Sequence, residues 1–371
     1  MIAKRTFSLL TPLALLAGFL AAACGTESSS PSAGPAPYAA AGPYSVGVTT
    51  LDLGDRKVEV WYPADRGAER GIEPDVYYIR SWLPAAIDAI LPADANPPFV
   101  TDAYREIRPA DGRFPLVLFA HGFAGFRDQS TFLTTHLASW GFVVAAPDYL
   151  ERGLGAALGQ RPVVPRADVE VSRSTVDLLK AEDVRPGGLL AGHVSADRVA
   201  ITGHSAGGGS AVLFGNEPDV LTYVPMSAGA RDPSNLPDKP SLWLTGRTDG
   251  VAAVAGVESA YAAAKAPKSL VIIENAGHLV PSDLCAIGEN GGGIVQVALD
   301  AGLPVPENLQ RLGTDGCGPE SLPVRDGWPV VRHFVTAQMR WAFGIDAQPT
   351  GLSQAAQGAF PAAPFVYAEE R

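Results

Sequence analysis

Arg198-Val-Ala-Ile-Thr-Gly-His-Ser205-Ala-Gly-Gly-Gly-Ser-Ala-Val-Leu-Phe214 joins three things in direct succession: an apolar run of strand length, a serine flanked by glycines, and a small-residue run of helix length. Its centre, Gly203-His-Ser205-Ala-Gly207, fits G-x-S-x-G, a pattern that is weak when it stands alone. Context strengthens it, because a strand predicted over Arg198–Thr202 enters the motif and a helix predicted over Ser205–Phe214 leaves it. That is the setting of a nucleophile elbow. Glycines two positions to either side permit a strained turn and close packing, so the serine Oγ projects into a cleft and the backbone N–H of Ala206 points at the same space. A glycine-rich helix start in any α/β protein is the bland alternative.

Working outward, Pro115–Ala120, Phe142–Ala146, Tyr223–Met226, Ser241–Thr245 and Ser269–Ile273 are short continuous apolar runs, as strands buried on both faces show. Helix-length segments separate them, including one with Phe132, Leu133, His136 and Leu137 on one face and another over Val169–Leu179. Alternation of this kind predicts an α/β fold with a mostly parallel central sheet and helices on both faces. Ser45–Tyr62 reads as two antiparallel strands turning at Gly54-Asp55. The stretch 64–112, rich in Pro and Asp, gives no clear pattern.

Composition narrows the function. The 371 residues carry a net charge of −11, with charges scattered rather than blocked, which argues against nucleic acid as a partner. Three cysteines are too few for a disulfide-dense scaffold, and no pair stands at zinc-ligand spacing. The glycine-rich runs lack the Lys-Ser/Thr of a P-loop, so no metal, nucleotide or flavin cofactor is expected.

A serine nucleophile needs a histidine base held by a carboxylate. Of six histidines, His278 is preferred: Asn275-Ala-Gly-His278 lies just past the strand Ser269–Ile273, at the carboxyl edge of the sheet where loops converge. Asp249, in Thr245-Gly-Arg-Thr-Asp249, lies just past the strand Ser241–Thr245 on the same edge. The order Ser205, Asp249, His278 is the serine, acid, histidine order that goes with a nucleophile elbow. His204 is expected to point elsewhere along the elbow, His193 lies at the opposite edge, and Asp232 is the rival acid. Taken alone, His278 and Asp249 would read as turn residues. Two N–H donors are needed for a developing oxyanion. Ala206 supplies one, and Phe123, in His121-Gly-Phe-Ala-Gly125 after the strand Pro115–Ala120, is the candidate for the other; a simple glycine-rich turn with a core Phe is the alternative.

With His121-Gly-Phe123, Leu137-Ala-Ser-Trp-Gly-Phe-Val-Val-Ala-Ala-Pro-Asp148, Gly203-His-Ser-Ala-Gly-Gly208, Asp249 and Gly277-His278 in hand, the chain resembles α/β-hydrolases. The group is that of bacterial cutinase-like polyester hydrolases, dienelactone hydrolases, chlorophyllases and platelet-activating-factor acetylhydrolases. The resemblance covers about 44–345 and implies a serine ester hydrolase: Ser205 as nucleophile, His278 as base, Asp249 as orienter, Phe123 and Ala206 as oxyanion donors. Two departures stand out. The acetylhydrolases carry their acid after the strand that follows the nucleophile helix, and polyester hydrolases place an aromatic clamp in that loop. Here Met226-Ser-Ala-Gly-Ala230 offers only small residues. The region 279–331 is longer than in the cutinase-like enzymes and is expected to be an extended loop covering part of the cleft.

The N-terminus speaks of place. Lys4 and Arg5 precede the apolar stretch Phe7–Leu20, which is too short to span a bilayer and reads as an export signal. Leu20-Ala-Ala-Ala-Cys24 is similar to the lipobox of bacterial lipoproteins, although Ala21 stands where Leu is usual. The similarity implies a signal peptide over 1–23, lipidation of Cys24 and attachment to a membrane of the cell envelope, with ordinary secretion as the alternative. Residues 24–43 are expected to be a flexible tether, 44–345 the catalytic domain and 346–371 a tail. Cys285 and Cys317 are expected to pair in an oxidising compartment and to steady the loop carrying His278. The substrate expected is a small-molecule, lipid or polymer ester. A non-catalytic binding lipoprotein on the same scaffold and an acyltransferase with the same triad are the competing readings.

Overall fold

The computed structural model describes Met1 and residues 36–288 and 293–371. The expected signal peptide, Cys24 and most of the expected tether lie outside the described residues. Every described strand and helix belongs to the unit 35–371.

Strand-forming runs alternate their side chains between two faces, and here both faces are covered. In Phe114–Ala120, Val117 and Phe119 join one apolar cluster while Leu116 and Leu118 join the other. Leu242 and Leu244 against Trp243, and Val271 and Ile273 against Leu270 and Ile272, repeat the division. Period-two alternation with apolar residues on both sides is why these runs look continuously hydrophobic in the sequence.

The strands in chain order are β1 (Ser45–Asp52), β2 (Lys57–Ala64), β3 (Val76–Tyr77), β4 (Phe99–Val100), β5 (Tyr104–Arg105), β6 (Phe114–Ala120), β7 (Val143–Pro147), β8 (Val194–His204), β9 (Val220–Met226), β10 (Ser241–Gly246), β11 (Lys268–Ile273) and β12 (Phe365–Glu370). Ten of them form one sheet in the order β12-β11-β10-β9-β8-β6-β7-β2-β1-β5, and β3 pairs with β4 apart from it. From β7 to β11 every neighbouring pair is parallel, whereas β1–β2, β2–β7 and β11–β12 are antiparallel. The chain lays β7 on one side of β6 and β8 on the other. That reversal opens a crevice outside the carboxyl ends of β6 and β8, where open α/β sheets bind ligands.

The helices are α1 (Ala85–Asp88), α2 (Thr131–Ser139), α3 (Leu154–Ala157), α4 (Asp168–Asp183), α5 (Ala206–Phe214), α6 (Val254–Ala263), α7 (Gly293–Asp300), α8 (Glu307–Thr314) and α9 (Val324–Ala342). α2 and α9 pack together on one face of the sheet, and α4, α5 and α6 cover the other. This is an α/β-hydrolase fold.

Three expectations about the edges need correction. The folded part begins by residue 36, not at 44: Tyr38 is buried, its ring lies 5.0 Å from that of Trp140, and its carbonyl accepts a bond of 2.9 Å from His136 Nε2. A Pro- and Ala-rich composition hid one aromatic anchor. The tail expected over 346–371 supplies β12, which pairs with β11 along Lys268–Ile273 and buries Phe365 edge-on against Phe334. The region 279–331 is not an open loop either, since it contains α7, α8 and the first turns of α9, and a Cys285–Cys317 disulfide closes across it.

Shortening the chain to end at Thr350 removes β12 together with buried Phe360 and Phe365. Loss of a buried Phe alone costs about 3–5 kcal/mol. The truncated protein is therefore expected to unfold at a markedly lower urea concentration, and an unchanged midpoint would make the segment dispensable.

Candidate active site

Ser205 stands between β8 and α5 with φ 56° and ψ −121°. A non-glycine residue held there carries strain of about 1–3 kcal/mol, which persists only where the surroundings impose it. They do so by steric exclusion. A Cβ on Gly203 would lie 2.3 Å from the Gly207 carbonyl oxygen, and one on Gly207 would lie 2.0 Å from that of Ala120. The end of β6, the end of β8 and the start of α5 thus touch backbone to backbone, and the Ser205 N–H is fixed on the Met226 carbonyl at 2.9 Å.

Asp249 follows β10 and His278 follows β11, so both reach the same edge as Ser205. His278 Nδ1–H donates to the Asp249 carboxylate at 3.0 and 2.9 Å, and both side chains are fully buried. Burial would raise the Asp249 carboxyl, but the His278 hydrogen bond and charge, with the Ala252 and Val251 amides, hold it below its ordinary value. His278 Nε2 is buried without a hydrogen-bond partner among the described residues, and His278 lines the same cavity as Ser205. Asp232 is exposed and turned to Ser234, so the rival acid does not reach the base. His193 bonds the Gly112 carbonyl at the amino edge of β8.

The loop after β6 comes close enough that a Cβ on Gly122 would lie 3.3 Å from Ser205 Cβ. Among the described residues, neither the Phe123 nor the Ala206 amide has an acceptor. The first follows Gly122 and the second follows Ser205 in the chain. His121 is a buried prop beneath this loop: Nδ1–H donates to the Gly122 carbonyl at 2.8 Å while Nε2 accepts the Tyr149 amide at 2.9 Å.

Three further residues were given no supporting role by the sequence reading. His204 does turn away from the serine, but toward the base: its Nε2–H donates to the His278 carbonyl at 2.9 Å. Gln129 Nε2 donates to His204 Nδ1 at 2.8 Å, and Gln129 Oε1 accepts the Gly122 amide at 2.9 Å. One buried polar chain therefore runs from the oxyanion loop to the backbone of the base, with each donor matched to an acceptor. The third, Asp315, accepts the amides of His278 and Gly250. Proximity of His204 to the motif was the only visible signal; Gln129 and Asp315 carried none.

Above the serine lies a cavity of about 320 Å³ whose walls are almost wholly apolar. Ser205, Phe123 and His278 are among its lining residues. Leu83 and Ile87 from the segment around α1, and Ile294, Val297 and Leu309 from α7 and α8, form much of the rest. The long 279–331 region thus roofs the cleft.

Fold and site together define an α/β-hydrolase with a serine, histidine and aspartate brought to one sheet edge. Two family models match the chain: Chlorophyllase over residues 107–228, and Platelet-activating factor acetylhydrolase, isoform II over residues 38–160. Both families are serine esterases of the α/β-hydrolase superfamily, and the chain is a member of that superfamily. The first match contains the loop after β6 and the serine elbow; the second ends before the elbow.

The buried histidines set a pH window for stability. Burial holds His121, His136 and His204 down to about 3 and His333 to about 4, assisted by Arg152 for His121, Arg332 for His136 and His278 for His204. Unfolded histidine titrates near 6.5, so below that pH the unfolded chain takes up protons that the folded chain refuses. Each such difference weakens folding by about 1.4 kcal/mol per pH unit. The contribution is complete above 6.5 and declines as pH falls toward about 4 for His333 and about 3 for the other three. Melting temperature is therefore expected to drop between pH 6.5 and 5, before most carboxylates titrate, and a flat profile there would contradict neutral burial of these rings.

Proposed function

We propose that this protein is an exported serine hydrolase that cleaves carboxylic esters through an acyl-enzyme on Ser205. The observation that carries the reading is the buried Nε2 of His278, without a hydrogen-bond partner among the described residues, on a ring that Asp249 orients and that lines one cavity with Ser205 and Phe123. In the first half-reaction the Ser205 Oγ attacks the ester carbonyl as His278 Nε2 takes its proton. The oxyanion that forms is held by the Phe123 and Ala206 N–H groups. His278 then gives the proton to the departing alcohol, leaving the acyl group on Ser205. Water repeats the sequence, losing a proton to His278, and the acid departs with Ser205 restored. Asp249 keeps the imidazole in the Nδ1–H tautomer and stabilises the imidazolium.

The apolar walls favour an ester with an extended hydrocarbon part. Small residues in Met226-Ser-Ala-Gly-Ala230 give a flat aromatic polymer no stacking wall in that loop. Ser205→Ala and His278→Ala are expected to lose about 10³-fold or more in kcat while remaining folded. Asp249→Asn should be impaired and Asp232→Ala unaffected. In a series of p-nitrophenyl esters of graded length, kcat/KM should rise by up to about fourfold per methylene, from about 0.8 kcal/mol of transfer energy, until the cavity is filled. Near-normal turnover by His278→Ala would overturn the assignment, and a preference for acetate would overturn the chain-length reading.

Attachment to a membrane through lipidated Cys24 belongs to the same proposal and rests on the Leu20–Cys24 pattern. A palmitate analogue supplied to expressing cells is expected to label the wild type and not Cys24→Ala. An unlabelled wild type would leave an ordinary secreted enzyme in its place.

A further inference from the structure

We propose that Asp315 is a positioning residue for the catalytic pair, a clasp that sets the separation of the acid loop and the base loop; this rests on the ester-hydrolase reading above. Asp315 closes α8, outside the sheet, and its carboxylate reaches into the gap between two loops that come from different strands. Oδ1 accepts the backbone N–H of His278 at 2.6 Å, and Oδ2 accepts that of Gly250, the residue after Asp249, at 3.0 Å. The Asp315 carbonyl also accepts the Leu279 N–H at 3.0 Å. One carboxylate thereby ties the backbone of the base to the backbone beside the acid. Bonds from amides to an ionised acceptor are about twice as strong as neutral ones.

Close packing makes the arrangement specific. A Cβ on Gly277 would stand 2.6 Å from Asp315 Oδ1 and 2.5 Å from Gly316, and one on Gly250 would stand 2.7 Å from Asp315 Oδ2. Gly316 itself takes a φ of +94°. Both loops therefore present glycine where the clasp lands. Two residues further on, Cys317 is bonded to Cys285, which lies seven residues after His278. A closed ring results: from His278 along the chain to Cys285, across the disulfide to Cys317, back to Asp315 and by hydrogen bond to the His278 amide. The disulfide bears on the base through the turn 315–317, where the Asp315 carboxylate and carbonyl and Gly316 meet the loop carrying His278.

A role limited to stability would lower the melting temperature and leave turnover per folded molecule unchanged. Positioning predicts otherwise, since a misplacement of about 1 Å can cost about 10²-fold in rate. Asp315→Ala is expected to lower kcat about 10- to 100-fold on a p-nitrophenyl ester, with KM within about twofold, at a temperature where circular dichroism reports a folded chain. Asp315→Asn keeps one acceptor and turns an N–H₂ toward the other amide, so it should lose kcat in the same direction and serves if the alanine variant does not fold. The low-field proton resonance of His278 Nδ1–H in wild type should broaden or shift in both variants. In a cycle with Cys285→Ser, the two effects on kcat should be far from multiplicative, as expected of residues acting through one contact. A folded Asp315 variant with wild-type kcat and an unchanged resonance overturns the clasp, and multiplicative effects overturn its link to the disulfide. If wild type and Ser205→Ala alike fail to hydrolyse esters, the functional reading falls, while the resonance still decides the role of Asp315.

Discussion

Everything at this site depends on one backbone approach: the start of α5 lies against the end of β6 so closely that no side chain fits between Gly207 and the Ala120 carbonyl. That contact has three consequences. The chain must turn sharply at Ser205, which accounts for its positive φ. The first amide of α5, that of Ala206, is left without an acceptor at a helix start, where backbone N–H groups are free by construction. The loop leaving β6 is brought over the serine, carrying the Phe123 amide with it. A single steric condition, met by glycines at 203 and 207, sets the turn at Ser205 and the amide donors beside it.

His278 is less securely placed by its own strand. β11 ends at Ile273, and His278 stands five residues beyond it on a loop that would otherwise move. Its position is imposed from several sides instead. Asp249 holds the ring, His204 holds the carbonyl and Asp315 holds the amide. Farther along the same loop, Asp283 accepts the Thr131 and Phe132 amides and so caps the start of α2. None of these partners comes from the loop itself. The bonds made by Asp249, His204 and Asp283 are buried and act in a low-dielectric setting, where a satisfied network is rigid and an unsatisfied one is costly. The same burial keeps His204 and His121 neutral, so their rings serve as fixed donors and acceptors beside His278.

Legibility in the sequence follows the range of the interactions. Apolar runs such as Pro115–Ala120 and Ser269–Ile273 announced the sheet because burial on both faces is written into consecutive residues. Ser205, Asp249 and His278 could be singled out because each lies within five residues of the end of such a run. Contacts between distant segments left no comparable mark. Nothing adjacent to Asp315 in the sequence signals that its carboxylate lands on Gly250 and His278, and Gln129 looks like any polar residue of a loop. Tyr38 and Phe365 illustrate the opposite failure. A single aromatic in a stretch of Pro, Ala and Gly carries little compositional weight, yet one buried ring is enough to pin a terminus.

The region 279–331 joins two tasks that are usually separable. Its helices α7 and α8 form much of the apolar roof over Ser205, so their side chains bear on how much hydrocarbon the cavity accepts. The turn that ends α8 carries Asp315 and, next to it, the glycine that packs on Gly277. Roof and clasp are thus consecutive pieces of one chain, closed by the Cys285–Cys317 bond. A displacement of α8 large enough to admit a bulkier group would pull on the turn that fixes the His278 amide. Room for substrate and alignment of the base are mechanically coupled here. Changes confined to the α1 side of the cavity, at Leu83 or Ile87, enlarge it without touching that turn.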